Sequence, residues 1–424
     1  MSKDRHFLHG VDYFQLLIDH HGRKLGGPGH IVRLEMLLEG RLEESLLLAA
    51  IKNNQGLKEL SRVRLSAGKW SGFPRFYFEE ASPFPVFFHK NAFDERFEDL
   101  PINPFENAPF RLDVFDEKDG NSLLWFSFHH VFFDHIGIQA FISLMDGQND
   151  VPVFDPTPIK MTLSEKLKAY FKAANFAFID GNFFMTRHEQ KLPAVKPKLL
   201  NKKRFVFSKK EKEIIEENCK KAGIGQSLNA FLLACVSKAL HDEIFSHQKS
   251  HNFLWVPSLV NVRQKGAKPY ILRNYLSFLF FKIRPSTLED FNGTIKEVFK
   301  QMRWQIGKRL PQAFRDFAET YRFMPMQIYY WMFQMPSMGK LSAFSFSYLG
   351  KSFEGLESFL GHRVLNLRNV PSNSIRPGIA VIFYEFRGEL RMESSWVADW
   401  YGEEKEEAVL ERIKELALAQ AHKK

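Results

Sequence analysis

Two adjacent histidines with an aspartate four residues on, His129, His130 and Asp134 in FSFHHVFFDHIG, are the side chains of this sequence best suited by type and spacing to move a proton. The run leading into them, SLLWFSF, is almost wholly apolar, so it predicts a strand buried on both faces with the histidines at its tip. Helical spacing resumes after Asp134. A side chain at such a strand-to-helix junction is held rigidly yet can face a cavity. Between Phe128 and Phe132, a histidine favours its uncharged form, the form able to accept a proton. Two other readings compete with a general base. Asp134 can cap the following helix, with both histidines as packed, hydrogen-bonded core residues. His130, Asp134 and His135 are also metal-ligand types, but no second ligand cluster accompanies them, and no metal is expected.

The elements that must position these residues are legible in outline. Upstream, HIVRLEMLLEG from His30 alternates like a strand and RLEESLLLAAIKNNQGLKEL has helical spacing. FRLDVFDEKDGNSLLWFSFHH carries Asp119 and Gly120 as a turn signal between two apolar segments, which predicts a hairpin. HIGIQAFISLM and SEKLKAYFKAANFAFI read as helices. The clearest seam is KLPAVKPKLLNKKR, residues 191–204, with six basic residues, no acidic ones and two prolines, expected to be an extended linker. Beyond it the order strand, helix, helix, strand begins again. RFVF is a strand, Ser208 and Glu211 form a capping box for a helix stopping at Gly223, and Ser227 opens LNAFLLACVSKALHDEIF. HNFLWVPSLV and YLSFLFFKI read as strands, and helical stretches run from Leu288 to about Met335. FSFSYLG, GIAVIFYEF and LRMESSWV close as strands, before a charged helix from about Glu403. The fold class is therefore α/β (α+β): residues 1–190 and 205–424 form two halves, each a largely antiparallel mixed sheet with flanking helices.

Bulk composition sets the outer limits. The chain is 45% hydrophobic and 25% charged, and Phe stands out with 44 copies, enough for thick cores or an apolar channel. Cys219 and Cys235 are too few for a disulfide framework and fit a reducing, cytoplasmic compartment. The N-terminal segment has no signal-peptide pattern, and no apolar run approaches the ~20 residues of a membrane span, so the protein is expected to be soluble or at most peripheral to a membrane. The net charge of +10 suits solubility or an anionic ligand; nucleic acid is not expected, since the basic residues are scattered.

HHVFFDHIG resembles the H-H-x-x-x-D-G signature of the CoA-dependent acyltransferase superfamily. That superfamily includes chloramphenicol acetyltransferase, plant BAHD enzymes, wax ester synthases and nonribosomal peptide condensation domains. The resemblance extends loosely over most of the chain. FENAPFRLDVFDEKDGNSLLWFSFHH is similar to the hairpin before the family's histidine, and SLNAFLLACVSKAL to the helix opening its second half. PSLVNVRQKG followed by LRNYLSFLFF is similar to its N-x-R and G-N region. The resemblance implies two chloramphenicol-acetyltransferase-like halves with a channel between them. It implies His130 as general base, His129 holding geometry, and Asp134 turned away to pair with an arginine the sequence does not identify. Asn261, Arg263 and Asn274 would serve the second half or the donor channel, though strand-end polar residues also stabilise loops. The reaction implied is acyl transfer from an acyl-CoA or phosphopantetheine thioester, free or on an acyl carrier protein, to an alcohol or amine on a small-molecule or lipid acceptor. No bound cofactor and no acyl-enzyme are implied, and a monomer is expected.

Two departures stand out. The family's glycine after the aspartate is His135 here, with Gly137 the nearest glycine, which leaves open a catalytically silent binding or docking module. The D-F-G-W-G landmark is absent; FSFSYLGKS, with Ser347, could offer an oxyanion donor in its place, or be a plain buried strand. Three weaker motifs also occur. The H-x4-D spacing of His129 and Asp134 also resembles glycerolipid acyltransferases, but their F-P-E-G-T-R partner is missing and SFEGLES at Ser352 is its only echo. DHHG at Asp19 resembles a phosphoesterase metal motif without its companions and reads as a polar loop. YRFMPMQIYYWMFQMPSM from Tyr321 suits helix core, an apolar tunnel, a lid or a membrane-facing patch.

Overall fold

The computed structural model describes residues 5–66, 74–94, 100–148, 151–154, 161–176, 179, 200–246, 253–264, 266–334, 342–372 and 377–419. The first part of the chain forms β1 (Arg5–Phe7), α1 (Gly10–Lys24), β2 (Ile31–Leu38), α2 (Glu44–Asn53), α3 (Gln55–Ser61), β3 (Val63–Ser66), β4 (Arg75–Phe78), β5 (Val86–His89), β6 (Phe110–Asp116), β7 (Ser122–His129), α4 (His135–Met145) and α5 (Leu163–Asn175). Next come β8 (Leu200–Phe207), α6 (Lys209–Lys221), α7 (Leu228–Leu240), β9 (Leu254–Asn261), β10 (Leu276–Ile283), α8 (Pro285–Leu288), α9 (Phe291–Gly307), α10 (Leu310–Tyr321) and α11 (Met326–Gln334). The chain ends with β11 (Ser345–Lys351), β12 (Ser358–Phe359), β13 (His362–Val370), β14 (Ile379–Phe386), β15 (Glu389–Val397), α12 (Ala398–Tyr401) and α13 (Glu403–Leu418). None of the described helices is long and apolar enough to cross a membrane.

Two six-stranded sheets organise the molecule. One has the order β12-β13-β2-β7-β6-β5 and the other β10-β9-β11-β14-β15-β8, with a small sheet β1-β4-β3 beside them. Neighbours are antiparallel except that β5 runs parallel to β6, and β11 runs parallel to both β9 and β14. The predicted hairpin is β6–β7: Phe110 pairs with Phe128 and Asp116 with Ser122, and Gly120 takes the turn at φ +81°. Every residue of β7 is buried, as its almost wholly apolar sequence leads one to expect. One face of β7 joins a core in which Phe110, Phe126, Phe128, Phe133 and Phe141 contact one another ring to ring. The capping box of Ser208 and Glu211 forms as expected, and the hydrophobic face of α7 packs into the second core.

Two sequence expectations about the seam need correction. Of the linker 191–204, residues 191–199 lie outside the described residues, and Leu200–Arg204 are not linker but the start of β8, paired with β15 at a sheet edge. Nor do the halves part cleanly at residue 205, because β12 and β13 cross over to extend the first sheet beside β2. The DHHG segment is also not a loop. It lies within α1, whose first residue, Gly10, meets α10 so closely that a Cβ there would fall 2.2 Å from the Ala318 carbonyl carbon.

Candidate active site

The site is built where β7 ends. Ile31 of β2 pairs with His129, and the ladder continues one residue further because the His130 amide donates to the His30 carbonyl (2.9 Å). The chain then turns, the Phe132 amide donating to the His129 carbonyl (3.1 Å), and Asp134 caps α4 through Gly137 N (2.9 Å). The capping reading of Asp134 is thus met.

His129 is fully sealed. Its Nε2 lies 3.2 Å from Asp19 Oδ1, and its Nδ1 receives the Val131 amide (3.4 Å). Asp19, on α1, also binds His30 N (2.8 Å) and Arg23 Nε (2.9 Å). Burial alone would raise the Asp19 carboxyl, but His129 and Arg23 outweigh it and hold the group well below the usual carboxylate range.

Asp134 is committed elsewhere. Arg263 grips it at both oxygens, Nη1 to Oδ2 at 2.8 Å and Nη2 to Oδ1 at 2.9 Å, while Tyr275 N donates to Oδ2 at 2.9 Å. Arg263 is therefore the arginine the sequence left unidentified. Its guanidinium lies over the Tyr275 ring, and its own amide is held by Asn261 Oδ1 (2.9 Å). Asn261 itself is exposed and does no more than shape this loop.

Asn274 ties the two halves together behind the histidines. Its side-chain amide donates to the carbonyls of His130 and Val131 (2.9 Å each) and to Asp12 Oδ1 (3.0 Å), and its backbone amide also donates to Asp12 (2.8 Å). Burial raises the Asp12 carboxyl above its ordinary value, against His9 and Asn274.

With His129 and Asp134 occupied, His130 is the group of the trio left for chemistry. It keeps 8% of its surface exposed where His129 keeps none. Burial lowers its pKa below 6.5, only partly offset by its own backbone carbonyl, Asp134 and the Asn274 side chain. The ring packs against His30 with centroids 4.6 Å apart, and burial, with His130 next, holds His30 well below 6.5 too. The imidazole is thus uncharged at neutral pH.

His135 occupies an ordinary helical position. Its Nε2 meets Ser352 Oγ at 2.8 Å, its ring stands edge-on to Phe353, and burial pushes it down to about 4. The close approach belongs instead to Gly137, where a Cβ would lie 2.4 Å from the Ile271 carbonyl oxygen. Ser347 sits inside β11 opposite Ile382, and among the described residues no hydrogen bond joins it to the His130 turn. Asp12, Asp19 and His30 were missed as site residues. Asp19 alone had a signal, the acidic residue of DHHG.

No protein-family model matches the sequence, and no curated protein matches it. Solved structures do. Trichothecene 15-O-acetyltransferase from Fusarium sporotrichioides superposes with a TM-score of 0.73 over 99% of this chain and 95% of its own, at 13% identity. The first condensation domain of the CDA synthetase gives 0.65 over 100% and 98%, at 14% identity. The starter condensation domain of rhizomide synthetase, solved with C8-CoA, gives 0.68 over 99% and 96%, at 12% identity. At such identities the likeness is one of fold. The chain has the fold of the CoA-dependent acyltransferases and condensation domains, end to end.

Proposed function

We propose that this protein is an acyltransferase that moves an acyl group from a CoA or carrier-protein thioester to an alcohol or amine, with His130 as general base. The observation that carries the reading is one uncharged imidazole at the tip of the central buried strand, still reaching the surface while His129 and Asp134 are fully engaged. In the reaction His130 takes the proton of the acceptor O–H or N–H as that atom attacks the thioester carbonyl. The tetrahedral intermediate collapses with loss of the C–S bond, and the thiolate takes the proton back from the imidazolium. No side chain is acylated, and much of the gain comes from holding the two substrates in line. A ring left uncharged by burial carries one proton, which leaves its other nitrogen as the acceptor.

A neighbour solved with an acyl-CoA supports a pantetheine-linked donor here, free or carrier-bound. The cytoplasm is the compartment expected for such thioesters and for the buried free thiols Cys219 and Cys235. The rival reading, a silent docking module, leaned on His135 in place of glycine. His135 has no positive φ and Gly137 supplies the close contact, so the substitution lends that reading no support. Thiol release from a panel of acyl-CoAs and acceptors provides the test. His130→Ala should cut turnover roughly 10²–10⁴-fold with an unchanged circular dichroism spectrum. Activity within tenfold of wild type removes the general-base role.

A further inference from the structure

Helix α5 turns an apolar stripe to solvent rather than to the core. Only Ala169 and Ala173 of the helix are buried, on the edge that meets α10. Leu163, Leu167 and Phe171, spaced four residues apart, form a row on another face and are 73%, 47% and 66% exposed, with Tyr170 beside them at 48%. Helical geometry puts Lys166 on one flank of this row and Lys168 and Lys172 on the other, all exposed. The single acidic residue of the helix, Glu165, is turned back onto the Thr162 cap (2.8 Å). More than half of the large apolar side chains exposed among the described residues fall in 163–179 and 304–331, including Trp331 at 60%. The two stretches are linked by rings, Tyr170 to Phe317, Phe317 to Tyr321 and Tyr321 to Tyr329.

An outward apolar row walled by lysines fits a surface that is apolar below and anionic above. We propose that the outer face of α5 docks the protein onto anionic lipid bilayers, with Leu163, Leu167, Tyr170 and Phe171 entering the headgroup–acyl boundary and the three lysines meeting lipid phosphates. The net charge of +10 works in the same direction at long range. A second copy of this chain, itself at +10, would gain nothing from a lysine on each side, so the charge pattern favours lipid over self-association. The proposal does not rest on the acyl-transfer reading, and its test uses no activity.

Co-sedimentation of the full chain with vesicles of phosphatidylcholine alone, or mixed with phosphatidylglycerol, decides it. The wild-type chain should bind the mixed vesicles, be released by added salt, and bind phosphatidylcholine alone far more weakly. Leu167→Asp with Phe171→Asp should lower binding to mixed vesicles at least about tenfold, and Lys166→Glu, Lys168→Glu and Lys172→Glu together should do the same. All five positions are exposed, and unchanged thermal melting confirms that the variants fold. The proposal fails if the wild-type chain ignores mixed vesicles at low salt, or if the aspartate variant binds them as before. It fails equally if those aspartates only convert a dimer to a monomer on size exclusion, which would make the row a contact between copies of this chain.

Discussion

Asp134 shows how a residue of the signature is used up by structure. Its two oxygens receive two guanidinium contacts and two backbone amides, and it is 1% exposed, so its charge is tolerated only because Arg263 is there. Replacing Arg263 by Met leaves that carboxylate buried and uncompensated. Urea unfolding should show a loss of about 3–5 kcal/mol, and Asp134→Asn added to Arg263→Met should recover a good part of it. Equal stability of the single and double variants would mean that the pair is not coupled. The signature itself was legible because strand, turn and cap lie within a dozen residues. The partners were not. Arg263 is 129 positions from Asp134, and Asn274 is 144 from His130, so only the closing of the two halves brings them together. The polar residues Asp12 and His30 have no local pattern that separates them from surface residues. Ser347, chosen for its type, lies on β11 in the interior of the other sheet, paired with Ile382 of β14.

Elements were readable where local physics decides, and misread where a neighbour decides. The β6–β7 hairpin and the cap of α6 follow from turn residues and capping groups alone. Leu200–Arg204 looked like linker because lysines and an arginine crowd it, yet it is an edge strand, and charges on an edge discourage pairing with another chain. In α1 the histidines and Asp19 hid a helix whose Asp12 and Asp19 face inward to the site. Two glycines of that helix give a contrast of sign. Gly10 touches α10 and donates its amide to Glu319 (2.8 Å), and a Cβ there meets backbone at 2.2–2.4 Å. Gly22 has nothing within 4 Å. Gly10→Ala should therefore destabilise the protein although alanine is the better helix former, while Gly22→Ala should stabilise it by about 0.5–1 kcal/mol. Thermal melts of the two variants check this, and shifts of the same sign would contradict the close crossing of α1 and α10.

At the scale of the whole molecule, the halves are joined by exchange as well as contact. β13, from the second half, lies against β2 of the first, and Arg368 on β13 reaches both Glu393 of β15 (2.7 Å) and Glu35 of β2 (3.7 Å). Tyr384 on β14 donates to Glu393 from the other side (3.2 Å) and accepts from the Asn369 amide (3.3 Å). Glu393 has no exposure, and burial, outweighing Arg368, pushes its carboxyl up to about 7. The folded protein thus holds a proton that the unfolded chain releases near the ordinary carboxylate value. Stability from this group is complete below that value and is lost as pH rises toward 7, on the order of 3 kcal/mol in all. His135, pushed down to about 4, acts oppositely: the folded state excludes a proton that the unfolded chain takes up below 6.5, so stability falls as pH drops. A wild-type profile sums both, so the joint must be read by difference. Glu393→Gln keeps a neutral partner for Tyr384 and removes the titration. Relative to wild type, the variant should gain urea stability steadily between about pH 5 and pH 8. A difference that stays flat across that range would mean that Glu393 is ionised throughout and that the joint between the sheets is a plain salt bridge.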